Sequence, residues 1–245
     1  MHIHDPASPQ ITGVIPARYH STRFPGKPLV DILGTSMILR VVRQAQQSRL
    51  LTKVVVATDD QRIYDHVAEA GCPVMMTDRR HLSGTDRLGE VASSEAGEYF
   101  VNIQGDEPLI DPVQIDQVAE MCLSGAEIST LAYWQTDPER IESPNSVKVV
   151  MNEDGEALYF SRAVIPYQAI QRAGGGWQHI GIYGFSRPAL AAITCLPPHS
   201  LEQNEQLEQL RWLAHGYRIR VGKSEQPAHG VDSPEDLEAI IRRLR

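Results

Sequence analysis

Three cations fall within ten residues near the start of the chain: Arg18, Arg23 and Lys27 in Pro16-Ala17-Arg18-Tyr19-His20-Ser21-Thr22-Arg23-Phe24-Pro25-Gly26-Lys27. Two hydroxyls and a glycine accompany them. A triphosphate needs forked donors, a compact point cation and close backbone approach, and this loop offers all three. It is not a Walker A loop, because the G-x-x-x-x-G-K-[ST] spacing is absent. A solvated basic loop is the plain alternative. A second cluster, Gln104-Gly105-Asp106-Glu107-Pro108, follows an apolar run. A carboxylate there can hold Mg2+ against a phosphate, since Mg2+ favours one or two carboxylates plus phosphate and water. The spacing equally allows a turn-forming Asp106. No Ser-His-Asp or Cys-His arrangement is visible, so nothing points to a covalent nucleophile.

Other polar positions carry weaker signals. Ser83-Gly84-Thr85 reads as a turn and helix cap, or as backbone able to match the edge of a base. Arg87 and Arg162 read as surface charges or as partners for a carboxylate. His179 and Tyr183 share a strand face. Glu205, Glu208 and Arg211 are spaced by one helical turn. Asp232 stands beside Ser233-Pro234-Glu235-Asp236, a capping box.

Elements that would position these residues alternate along the first half. Thr12 to Ile15 is β-prone, and Met37, Ile38, Val41, Val42 and Ala45 share one helical face behind Thr35 as cap. Lys53 to Thr58 is a continuous apolar strand of the kind buried on both faces. Asp59 or Asp60 caps the next helix, with Ile63, Val67 and Ala70 inward. Phe100 to Ile103 is a strand, and Asp111-Pro112 opens a helix. This rhythm predicts an α/β fold with a doubly wound, mostly parallel, Rossmann-like sheet and loops at the strand C-termini. The second half changes character. A hairpin spans 147–160, a glycine joint covers 174–176, and strands fall at 180–185 and 217–221. A helix runs from Leu201 to Ala214, and a final one follows Ser233. Residues 1–11 read as a disordered tail, 12–245 as one domain, and about 130–185 as a small β-rich insertion.

Composition narrows the class. The chain has 245 residues, 42% of them hydrophobic, enough for one large core. A formal net charge of −8 argues against nucleic acid or an anionic membrane as partner. Three scattered cysteines, Cys72, Cys122 and Cys195, suggest neither a disulfide framework nor zinc. Residues 1–10 lack the regions of a signal peptide. A cytoplasmic location fits both observations.

The first loop resembles the PAR-x-x-S-x-R-x-P-x-K-x-L motif of the CMP-sugar-acid synthetases. The likeness continues in order through Ala57-Thr58-Asp59, Ser83-Gly84-Thr85-Asp86-Arg87, Asn102 to Pro108, Ala157 to Pro166 and Val231 to Asp236. It also takes in the H-x-G-x-Y segment at His179 and L-E-Q-L-R at Leu207 to Arg211. The resemblance implies a nucleotidyltransferase, GT-A-like fold and transfer of CMP from CTP to a Kdo-type sugar acid, or to its 8-amino derivative, for lipopolysaccharide. It implies Mg2+ on Asp106 and Asp232. It implies CTP contacts from Ala17, Arg18, Ser21, Arg23, Lys27, Ser83, Gly84, Gln104 and Gly105, with Arg18, Lys27 and Asp106 catalytic. Sugar contacts would come from Arg87, Arg162, His179, Tyr183, Glu208 and Gln209. A homodimer, with the insertion at its contact and at the sugar site, is implied too. A glycosyltransferase or a non-catalytic nucleotide-binding regulator are the rival readings; pyrophosphate release separates the first, a missing metal or phosphate residue would mark the second.

Overall fold

The computed structural model describes residues 9–20, 24–81 and 83–245. β1 (Ile11–Ala17) leads through the basic loop to a short ribbon, β2 (Asp31–Ile32) and β3 (Thr35–Ser36), and then to α1 (Met37–Ala45). There follow β4 (Lys53–Thr58), α2 (Gln61–Glu69), β5 (Val74–Met76), α3 (Gly84–Ser94), β6 (Tyr99–Asn102) and α4 (Pro112–Leu123). The second half holds β7 (Ile128–Gln135), α5 (Pro138–Glu142), β8 (Lys148–Met151), β9 (Ala157–Ser161) and β10 (Gly176–Ser186). It closes with α6 (Arg187–Ile193), α7 (Ser200–Glu205), α8 (Gln209–Ala214), β11 (Ile219–Ser224) and α9 (Pro234–Leu244).

The main sheet runs β11-β7-β10-β6-β1-β4-β5. β5, β4, β1 and β6 are parallel, as a doubly wound half requires. β10 lies antiparallel to both β6 and β7, and β11 returns parallel to β7. Alternation along the strands feeds two cores. Val14, Phe100, Tyr183 and Phe185 face α3, α6 and α8. Ile11, Ile15, Val101 and Ile182 face α1, α2 and α4. Helices therefore cover both faces, and the strand C-termini of the parallel half open at one edge. Among the described residues no helix is long and apolar enough to cross a membrane.

Several local expectations change. β1 begins at Ile11, and residues 1–8 of the expected tail lie outside the described residues. Thr35 does not cap α1: it pairs with Ile32 in the ribbon, and Ser36 precedes the helix. Asp60, not Asp59, caps α2 through the Arg62 amide. Within 130–185, β7 and β10 are integral strands of the sheet; the part standing off its main path is the β8–β9 hairpin. The expected 201–214 helix is two helices. Gln206 takes a left-handed conformation (φ 55°) and turns the chain between α7 and α8.

Candidate active site

Lys27 is where the loop meets the carboxylates. Its ammonium donates to Asp106 Oδ2 at 2.7 Å and to the Val231 carbonyl at 2.7 Å, and stands 3.6 Å from Asp232 Oδ1. The Val231 amide in turn donates to the Asp106 carbonyl. Three segments, 79 and 204 residues distant from Lys27, thus share one junction. Gly105 permits it: a Cβ there would lie 2.6 Å from the Pro16 carbonyl oxygen, so only glycine lets the two backbones touch. Asp106 and Asp232 converge on one cation already. Two carboxylates, with the remaining positions left to phosphate and water, suit Mg2+, so the residues present fit that ion.

A chamber of about 1080 Å³ opens beside this junction. Gln104, Asp106, Arg162, His179 and Asp232 line it, all named from sequence. A side chamber of about 260 Å³ continues from it past Gln104 and His179 to Gly84, Tyr183, Glu208 and Gln209. Arg18 stands exposed at the end of β1, donating to the His81 carbonyl at 2.8 Å, with Ala17 buried behind it. Ser21 and Arg23 lie outside the described residues.

Glu208 is held firmly at the start of α8. Ser83 Oγ donates to its Oε1 and Thr85 Oγ1 to its Oε2, each at 2.8 Å. Ser83 meanwhile accepts from the Asp86 amide in a capping box that starts α3. Both side-chain hydroxyls of the Ser83-Gly84-Thr85 segment are therefore engaged, and the Ser83 amide donates to Asp86 Oδ2 at 3.1 Å. Burial pushes the Glu208 carboxyl above its ordinary range, against those two hydrogen bonds. The break at Gln206 also undoes the expected ladder: Arg211 pairs with Glu202, Nη2 to Oε1 2.5 Å.

Arg87 departs from its expected place. It is fully buried, donating from Nη2 to Asp59 Oδ2 at 2.7 Å and from Nη1 to Thr77 Oγ1. With no exposed surface, the guanidinium braces the end of β4 against α3. Arg162 does reach the large chamber. Carbonyls of Glu205 and Pro144 hold its Nε at 2.8 Å and its Nη1 at 3.0 Å. Sequence reasoning passed over its support. Buried Lys148 donates to the carbonyls of Ser143, Ser146 and Arg162, using all three ammonium protons. A lysine flanked by Val147 and Val149 in an inward strand position was the available signal. Glu205 likewise accepts from Ser161 Oγ and the Arg162 amide.

His179 Nε2 meets Thr130 Oγ1 at 3.0 Å, and burial pushes the imidazole down to about 3. The ring is neutral at pH 7. Its unfolded pKa is near 6.5, so between those values the unfolded chain binds the extra proton. Stability should fall as pH drops below about 6.5. Urea midpoints at pH 7 and pH 5 should differ less in His179→Asn than in the parent; equal differences would contradict this.

Residues 12–219 match the family model for cytidylyltransferases, and the chain belongs to that family. It is 47% identical over 239 residues to a 3-deoxy-manno-octulosonate cytidylyltransferase of Solibacter usitatus (strain Ellin6076), covering 96% of this chain and 95% of the relative. Identity to the protein of that name from Parabacteroides distasonis (strain ATCC 8503 / DSM 20701 / CIP 104284 / JCM 5825 / NCTC 11152) is 47% over 246 residues, covering 95% and 97%. A solved CMP:2-keto-3-deoxy-manno-octonic acid synthetase complexed with CTP superposes with a TM-score of 0.91, at 38% identity over 96% of this chain and 98% of that one.

Proposed function

We propose that this chain joins the CMP portion of CTP to 3-deoxy-manno-octulosonate (Kdo), releasing pyrophosphate and supplying CMP-Kdo for lipopolysaccharide synthesis. The observation that carries the reading is the convergence of Lys27, from the basic loop, on Asp106 and Asp232 at the mouth of a chamber lined by Arg162 and His179. The similarity to cytidylyltransferases of this name supports the choice of substrates.

The anomeric 2-hydroxyl of the sugar acid attacks the α-phosphorus in line. Its oxygen gains the new P–O bond and gives up its proton to water, and the bond from the α-phosphorus to the bridging oxygen breaks. Positioning and charge neutralisation do most of the work in such transfers. Arg18, Arg23 and Lys27 hold the phosphates, and Lys27 stands where charge grows on the departing pyrophosphate. Asp106 and Asp232 would hold Mg2+, whose charge, when bound, polarises the α-phosphate. Backbone at Ser83 and Gly84, with Gln104, faces the base. Arg162 takes the sugar carboxylate, and His179, Tyr183, Glu208 and Gln209 take hydroxyls. The resemblance further supports a homodimer working in the cytoplasm.

Pyrophosphate release by the purified chain with Mg2+, CTP and Kdo tests the reading, with UTP, the 8-amino sugar and sialic acid in parallel. Release with CTP and Kdo is expected. Release with the amino sugar alone would keep the chemistry and change the substrate. Silence throughout, with CTP bound, would overturn the transferase reading.

A further inference from the structure

Asn102 ends β6 directly opposite Tyr183 of antiparallel β10. Side chains of such a cross-strand pair emerge on the same face. Phe100 and Phe185, two residues away on the respective strands, fill the core on that face. Asn102 and Tyr183 both line the side chamber. Both are nearly inaccessible, Asn102 5% and Tyr183 7% exposed.

Their neighbours in that chamber are satisfied. Gln104 Nε2 donates to the Gly181 carbonyl at 2.7 Å, His179 meets Thr130, and Glu208 accepts from Ser83 and Thr85. The Asn102 side-chain carbonyl is buried without a hydrogen-bond partner among the described residues, whereas the Tyr183 hydroxyl has Thr130 within reach. Buried polar atoms left without partners are rare and call for a reason. The Asn102 carbonyl, on a residue that lines an open space, has one: the partner arrives with the substrate. The side chamber is too small for a whole nucleotide or sugar acid and suits a branch of one. Its wall offers an amide, a hydroxyl and a carboxylate in succession. That array matches a polyol tail, where each carbon brings a group able both to donate and to accept.

We propose that Asn102 is a specificity-determining contact for the sugar acid. Its side-chain carbonyl accepts a hydrogen bond from a hydroxyl of the polyol tail, next to Tyr183 and Glu208. This rests on the sugar-acid reading of the site.

Asn102→Leu removes the amide at similar size. With saturating CTP, the KM for Kdo should rise about tenfold or more, the loss of one buried hydrogen bond. The Kd for CTP, measured by calorimetry without sugar, should stay within about twofold. The thermal midpoint should hold or rise, because the variant removes a buried polar group that no protein atom satisfies. A purely structural asparagine would lower the midpoint and leave the KM alone. Asn102→Ala repeats the measurement should leucine misfold. An unchanged Kdo KM in a folded variant, or a CTP Kd that rises with it, overturns the proposal. Wild-type protein that makes no product from any sugar acid would instead overturn the functional reading itself.

Discussion

Replacing Asp106 by alanine should lower kcat by about 10²–10³-fold, the usual loss when one preorganised charge at a transition state is removed. Asp106 is placed for that effect. It follows Gly105, whose backbone lies against Pro16, and it presents Oδ2 to Lys27, which Asp232 also approaches. On the proposed reading the loop cations also hold the triphosphate in the ground state, so CTP affinity should change by only a few fold. A fall in kcat much larger than the fall in CTP binding identifies an interaction made mainly in the transition state. The side chain is 31% exposed, so global stability should barely move. Steady-state kinetics with calorimetric CTP titration checks all three. Near-normal turnover would remove Asp106 from the metal and leave it as the lysine's partner only.

Arg87→Met should cost about 3 kcal/mol of stability, the lower end for breaking a buried ion pair by removing one member. The low end applies because Asp59 keeps 17% exposure and can recover some hydration, whereas Arg87 has none. Thr77 also loses a donor. Urea unfolding measures the loss. Adding Asp59→Asn should recover part of it, since the stranded carboxylate is then neutral. A variant of unchanged stability but raised Kdo KM would return Arg87 to the sugar site.

What was legible in the sequence was local. The apolar strand Lys53–Thr58, the Asp111-Pro112 helix start and the Ser233 capping box rest on neighbours within four residues, and each forms as expected. The basic loop and the motif at Asp106 were equally plain, although only folding joins them at Lys27. Nonlocal pairings left no such trace. Arg87 resembles a surface arginine because its partners Asp59 and Thr77 lie 28 and 10 residues away. Glu208 reads as a solvated helix face; its hydroxyl partners are 125 and 123 residues distant. Gln206 breaks a helix in a left-handed conformation with neither glycine nor proline to announce it. Asn102 stands in a recognisable motif, yet its want of a partner shows only once β6 and β10 are paired.

Attack at the α-phosphorus of CTP by a sugar acid can be read from the fate of phosphate labels, with Mg2+ and Kdo present. An α-phosphate label should enter a sugar nucleotide, and a γ-phosphate label should leave as pyrophosphate. A γ label released as inorganic phosphate, or an α label that never joins the sugar, would contradict it.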